Sequence, residues 1–131
     1  MTKKQIKVVG AAIIKDNKVL AMQRSETMTL PGMWEFPGGK IEANETEEKA
    51  LIREIKEELN VDIEILDYIN EASYDYDFGT VSLKVYTGQI ISGQLTLEEH
   101  SAGKWLEAKD LSDINWAPVD IPAAKALKKI L

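Results

Sequence analysis

The stretch Gly38-Gly39-Lys40-Ile41-Glu42-Ala43-Asn44-Glu45-Thr46-Glu47-Glu48-Lys49-Ala50-Leu51-Ile52-Arg53-Glu54-Ile55-Lys56-Glu57-Glu58-Leu59-Asn60-Val61 joins a chain-breaking loop to a strongly periodic segment. Leu51, Ile55 and Leu59, with Ile52, cover one arc at helical spacing, so residues 45–59 are predicted to be a helix. Asn44 is the expected N-cap, and Glu47 three residues on completes a capping box. Asn60 tolerates the left-handed conformation that ends a helix. Ahead of the helix, Pro37-Gly38-Gly39 breaks regular structure and lets backbone approach a ligand closely. Lys40 beside it can meet a phosphate as a point charge. The Walker spacing is missing, so this is not a P-loop, and Gly-Gly-Lys alone reads as a turn with a surface lysine.

Glu54, Glu57 and Glu58 stand at i, i+3 and i+4 and share one helix face, beside the apolar arc. Like charges so spaced repel by about 0.2–0.5 kcal/mol per pair. Within the helix Lys56 points away and Arg53 flanks one side, so little offsets the repulsion. A solvated face carries such a cost, and so does a face that holds a divalent ion. An all-oxygen carboxylate site suits Mg²⁺ or Mn²⁺. The charge balance has the same focus. The net charge of −6 sits entirely between Glu35 and Glu64, which hold ten acids and four bases; the rest of the chain is neutral.

Outward from this segment, Ile6–Ile14 reads as a buried strand and Val19–Arg24 as a second, joined by an Asp16-Asn17 turn into a hairpin. Residues 25–33, with Pro31-Gly32, read as a loop, and Trp34–Phe36 as a short extended piece. After the helix, Ile63–Tyr76 is extended, and Val81, Leu83 and Val85 alternate as in a half-buried strand. Ser92-Gly93 is an expected turn, Gly103–Leu106 a short strand, Pro118 a loop residue and Ile121–Leu131 a last helix. Strands and helices in this order predict an α/β (α+β) sandwich, a mixed sheet between helices, in one domain spanning residues 1–131.

The composition excludes several chemistries. The 131 residues hold no cysteine and one histidine, His100, which removes disulfide frameworks, thiolate metal sites, cysteine nucleophiles and histidine clusters. No apolar run approaches the ~18 residues of a membrane span. Met1–Lys7 is charged without a following apolar region, which argues against a signal peptide and for the cytoplasm. An acidic chain disfavours a nucleic-acid polymer as partner. An acidic block that meets an anionic small molecule needs a cation between them.

Taken together, Gly39-x5-Glu45-x7-Arg53-Glu54-Ile55-x-Glu57-Glu58-x-Asn60-Val61 resembles the Nudix box, G-x5-E-x7-R-E-U-x-E-E-x-G-U with U apolar. The single departure is Asn60 for glycine, and asparagine is the next-best residue for a left-handed cap. The box covers 23 of the 131 residues. Its flank, Trp34-Glu35-Phe36-Pro37-Gly38-Gly39-Lys40-Ile41-Glu42, is similar to that of MutT-type nucleoside triphosphate pyrophosphohydrolases.

The resemblance implies a Nudix α-β-α sandwich and a Mg²⁺-dependent (or Mn²⁺-dependent) hydrolase that acts on a small nucleotide, as monomer or homodimer. It implies Glu54, Glu57, Glu58 and the Gly38 carbonyl as metal ligands, with Glu54 as first candidate for the base. Glu99, six residues before Trp105, is implied as a further metal ligand or base. His100 reads as structural or exposed. Glu45 is expected to pair with Arg53 and brace the loop against the helix. Arg24, Glu35, Phe36, Lys40 and Asp120 are the substrate-contact candidates. An arginine common in relatives before the central hairpin strand is replaced here by Phe78-Gly79-Thr80, which leaves phosphate contact to Lys40, Arg24 and metal. Tyr74, Tyr76 and Phe78 read as core packing, with base stacking as the other reading. Asp120 either N-caps the last helix or reads the base. Its Pro-x-Asp-Ile-Pro context is similar to the CTP pyrophosphohydrolase branch and points to (d)CTP or a modified dCTP. An 8-oxo-dGTP diphosphatase, a nucleotide-sensing domain without catalysis and an enzyme for non-nucleotide diphosphates are the alternatives.

Overall fold

The computed structural model describes residues 4–131; Met1–Lys3, on which part of the expectation about a signal peptide rests, lie outside them. Strand β1 (Gln5–Lys15) turns at Asp16-Asn17 into β2 (Lys18–Gln23). Both turn residues have positive φ, 53° and 61°, as a two-residue hairpin turn of matching twist requires. The hairpin is short, pairing only Ile14 with Val19 and Lys15 with Lys18. Two short strands follow, β3 (Trp34–Glu35) and β4 (Gly38–Lys40), then helix α1 (Glu47–Leu59). Strands β5 (Val61–Tyr76) and β6 (Gly79–Gly93) form a long antiparallel ribbon, and β7 (Ala102–Leu106) leads through short 3₁₀ turns to α2 (Ile121–Ile130).

The sheet is mixed and ordered β3-β2-β1-β6-β5, with β4 on β1 and β7 on β2. One edge of β1 runs parallel to β6 from Gln5–Thr80 to Ile13–Gly88. Its other edge is divided. β4 takes Val8–Gly10, β2 takes Ile14 and Lys15, and between them Ala11 N–H donates to the Pro37 carbonyl at 2.8 Å. The sheet therefore forks along β1.

The alternation of β1 and β2 supplies two cores. Val9, Ala11, Ile13, Leu20 and Met22 face Leu51, Ile55 and Leu59 of α1. Ala12, Val19 and Ala21 face the opposite layer with Trp116, Ala124 and Leu127. The result is the α/β sandwich expected from the order of elements, and α1 buries Leu51, Ile55 and Leu59 completely. Truncating one of these to alanine typically costs about 2–5 kcal/mol. Ile52, placed on the same arc in the sequence reading, is 39 % exposed and flanks the core instead of entering it.

Four local expectations are corrected. Thr46, not Asn44, caps α1, and its hydroxyl accepts from Lys49 N–H at 3.2 Å. Asn44 is left-handed at φ 68°, because the chain turns before the helix, with Glu45 N–H donating to the Glu42 carbonyl. Glu47 forms no capping box; Lys84 Nζ donates to it at 2.7 Å and the Tyr86 hydroxyl at 2.8 Å, which ties the start of α1 to β6. Gly38-Gly39 does not end regular structure but pairs with β1 as part of β4. Ser92 and Gly93 extend β6, paired with Asp62 and Val61, where a turn is expected.

Asn60 is the C-cap in the left-handed conformation, φ 60° and ψ 32°, and its N–H donates to the Lys56 carbonyl. Asn60→Gly is therefore expected to be neutral or slightly stabilising. Asn60→Val, with a β-branched side chain at positive φ, should cost about 1–2 kcal/mol. A thermal melt in which the valine variant matches the wild type would remove this assignment.

Candidate active site

A cavity of about 510 Å³ opens where the sheet forks, lined by Gly38, Gly39 and Lys40 of β4, the end of α1, the 25–33 loop and the turn before α2. The local order of the chain explains which side chains reach it. Gly39 lies against the Glu54 carboxyl, so that any Cβ there would strike it, and a Cβ on Gly38 would strike the Val9 carbonyl. These two glycines let the helix face and the sheet come together.

Arg53 organises the acidic face. Its Nε donates to Glu45 Oε2 at 2.6 Å and Nη2 to Glu45 Oε1 at 2.8 Å, a two-pronged pair. Nη1 donates to Glu54 at 2.9 Å and reaches Glu57 at 3.3 Å, and Nη2 also donates to the Lys40 carbonyl at 3.2 Å. The expected Glu45–Arg53 brace is thus present. The expectation that little offsets the repulsion is corrected, since Arg53 serves Glu54 and Glu57 as well. The hydrogen bonds from Arg53 and then from Glu42 N–H hold the Glu45 carboxyl down to about 2. Lys56 does point away, to Asp62 at 3.5 Å.

Glu58 has no such relief. Its Oε2 is buried without a hydrogen-bond partner. Burial, and then the charges of Glu54, Glu35, Glu99 and Glu57, push its carboxyl up to about 8. Burial also raises Glu54, with Arg53 opposing. Glu58 and Glu99 line the cavity, while Glu54, Glu57 and Arg53 stand on the helix face beside it and Glu45 on the loop that leads into α1. Among the described residues no three carboxylates or imidazoles converge closely enough to hold an ion as they stand. Glu54 and Glu57 are turned onto Arg53. The donor set nevertheless fits a hard divalent cation: all-oxygen, crowded with like charge, with one buried carboxylate oxygen unanswered.

Arg24 is placed at the cavity but spends its guanidinium on the protein. Nε and Nη2 donate to the Thr29 carbonyl and hydroxyl at 2.5 and 3.0 Å, and Nη1 donates to Glu35 Oε1 at 2.8 Å. The other oxygen of Glu35 accepts from His100 Nε2–H at 2.7 Å. Both oxygens of Glu35 are therefore engaged, and His100, with 4 % of its side chain exposed, is structural and not an open surface residue. Lys40 lines the cavity, and so does Lys4, which sequence reasoning missed because only the pairing of β1 with β6 brings it there.

Phe36 and Asp120 also line the cavity. Phe36 and Trp116 stack at 4.6 Å between ring centres. Asp120 is buried and stands at the N-cap position of α2, but its side chain makes no capping bond; its Oδ2 accepts from Phe36 N–H at 3.0 Å. Burial and then Glu35 push its carboxyl well above the usual carboxylate range. The 3₁₀ turn Pro118–Asp120, where a loop is expected, carries it inward, and Val119 N–H donates to the Tyr76 hydroxyl at 3.0 Å. Of the three aromatic residues assigned to the core, only Tyr76 is buried; Tyr74 and Phe78 are 46 % and 41 % exposed and flank it, and Tyr76 and Phe78 line the cavity.

The NUDIX domain family profile matches residues 4–129. The chain belongs to the Nudix family. It is 38 % identical over 114 residues to the putative 8-oxo-dGTP diphosphatase 2 of Mycobacterium tuberculosis, covering 86 % of this chain and 81 % of that protein. It is 33 % identical over 123 residues to the CTP pyrophosphohydrolase of Escherichia coli, covering 94 % and 91 %. The solution structure of MutT, a Nudix hydrolase of methicillin-resistant Staphylococcus aureus 252, superposes with a TM-score of 0.81 at 49 % identity, over 99 % and 100 % of the two chains. This is a MutT-like Nudix hydrolase, and Nudix hydrolases generally use divalent metal ions.

Glu58 gives a pH signature. With its folded value near 8 and its ordinary value near 4.5, the stability tied to its protonated form is complete below about 4.5 and is lost as pH rises to about 8. Glu58→Gln should therefore raise the melting temperature at pH 8.5 in a chelator, with the gain vanishing near pH 4.5. Equal melting curves at both pH values would contradict the buried, unpaired placement.

Proposed function

We propose that this Nudix hydrolase is a Mg²⁺-dependent nucleoside triphosphate pyrophosphohydrolase that releases a nucleoside monophosphate and pyrophosphate, preferring (d)CTP or a modified dCTP. Residues 1–131 act as a single domain. The observation that carries this is the lining of the cavity, which brings Glu58, Glu99 and Lys40 together with Phe36 and the buried Asp120. Such a cavity suits a ligand with a polyphosphate tail and a planar head.

Glu54, Glu57, Glu58 and the Gly38 carbonyl, with Glu99 across the cavity, are the residues that would hold the metal. When bound, the cation neutralises phosphate charge and acidifies a water. Lys40 binds and orients the phosphates. Glu54 is the first candidate to take the proton of the attacking water, because burial raises its carboxyl toward the working range of a base. Glu99 is the second. Glu45 and Arg53 hold the loop and the helix face in register.

Asp120 is proposed to read the base. With Oδ2 engaged by Phe36 N–H and its proton retained, the carboxyl can donate to the bare ring nitrogen N3 of cytosine, a position that carries hydrogen in thymine. The relative named CTP pyrophosphohydrolase supports this choice. The same retained proton favours a second reading, since it can also meet the carbonyl O6 of a guanine-type base. The relative named putative 8-oxo-dGTP diphosphatase 2 supports that one.

The deciding experiment is pyrophosphate release across natural and damaged (d)NTPs with Mg²⁺. dCTP is expected to exceed dTTP by orders of magnitude in kcat/KM, as a buried hydrogen-bonding group can enforce; Asp120→Leu, which removes the donor, should narrow that ratio, whereas Asp120→Asn keeps a donor and an acceptor and should preserve it. A wild type that favours 8-oxo-dGTP over dCTP replaces the cytosine assignment with the second reading. Glu57→Gln keeps shape and removes one ligand charge. It should lower kcat by about a hundredfold or more while leaving the melt intact, several kcal/mol of lost charge stabilisation. Near-normal rates at saturating Mg²⁺ would sink the metal assignment.

A further inference from the structure

We propose that His100 is a positioning residue which, by its bond to Glu35, sets where the Glu99 carboxylate stands over the cavity. The inference rests on the role proposed above for Glu99 and adds the device that aims it. The segment between β6 and β7 is held at two places. Thr96 and Glu98 N–H groups donate to the Leu59 and Glu58 carbonyls at the end of α1, at 2.9 and 3.2 Å. Beyond them, Ser101 N–H donates to the Gln23 carbonyl of β2 at 3.0 Å. Glu99 and His100 are the two residues between these anchors.

Backbone anchors on either side leave the torsions of a two-residue span free to turn. The imidazole of His100 removes that freedom, because its side chain is 4 % exposed and its Nε2–H is bonded to Glu35 at 2.7 Å. Glu35 is a firm post. Its backbone pairs with Met22 in the sheet, and its second oxygen is held by Arg24, which grips Thr29 in the opposite loop. Arg24, Glu35 and His100 thus link the 25–33 loop to the segment that carries Glu99 across the cavity mouth. Glu99 itself is exposed, so little besides its neighbour restrains it. A ligand or base held a fraction of an ångström out of place loses much of its effect.

The test combines kinetics with hydrogen exchange. His100→Ala, and His100→Leu to keep the buried volume, should lower kcat about 10–100-fold with KM little changed. His100→Gln, whose amide N–H can still reach Glu35, should recover most of the rate. In a Glu99→Gln background His100→Leu should change kcat by less than about twofold, because the two act as one unit. Without substrate, amide exchange of residues 99–101 should quicken in His100→Leu and return toward wild type in His100→Gln. Unchanged kcat in the alanine and leucine variants, a full further loss in the Glu99→Gln background, or unchanged exchange would each overturn the proposal. A wild type that releases no pyrophosphate from any triphosphate would refute the functional reading instead, and the exchange comparison would still decide the role of His100.

Discussion

The guanidinium of Arg53 is what makes the acidic helix face possible. Glu45, Glu54 and Glu57 all lie within 3.3 Å of it, and Glu42 at 3.8 Å. Without that charge, the helix carboxylates Glu54 and Glu57 and the loop carboxylates Glu42 and Glu45 would repel one another and part the loop from the helix. The two-pronged grip on Glu45 fixes the loop, and the bond to the Lys40 carbonyl fixes β4, so one side chain sets the helix, the loop and the short strand in register. Surface ion pairs are commonly worth little. This one matters because four partners share one planar donor in a single geometry.

Arg53 does not reach Glu58. The helix turns that residue toward the cavity, where burial and four neighbouring carboxylates act on it together. The contrast between Glu45, held down near 2, and Glu58, pushed up to about 8, arises within one turn-and-helix unit. Both are glutamates, and their surroundings make one a permanent anion and the other a group that titrates near neutrality.

The cavity itself comes from the divided edge of β1. A strand paired along its whole length on both sides would leave no opening. Here β4 and β2 take separate parts of one edge, with only the bond from Ala11 N–H to the Pro37 carbonyl between them. Trp34 pairs with Trp116, which draws the turn before α2 into place and carries Asp120 to Phe36. Residues more than eighty positions apart in the chain thus meet at a single hydrogen bond.

The sequence by itself determined what is local. The spacing of Leu51, Ile55 and Leu59 specified the helix, Asn60 its end, and the positions of Glu54, Glu57 and Glu58 the acidic face, because helical periodicity converts spacing into direction. The alternation in β6 was legible for the same reason, and β1 and β2 were legible as apolar runs on either side of the Asp16-Asn17 turn. Only the tertiary structure decided the rest. Thr46 became the cap because Glu45 is pulled back to Arg53. Asp120 turned inward because Phe36 N–H faces it across the sheet. Arg24, with its expected place in the cavity, became a brace because Thr29 and Glu35 fold over it. His100 gained a partner in Glu35 that no spacing could have indicated. These outcomes depend on which donor meets which acceptor between segments distant in sequence, and that is fixed by strand pairing and packing, not by any periodicity along the chain.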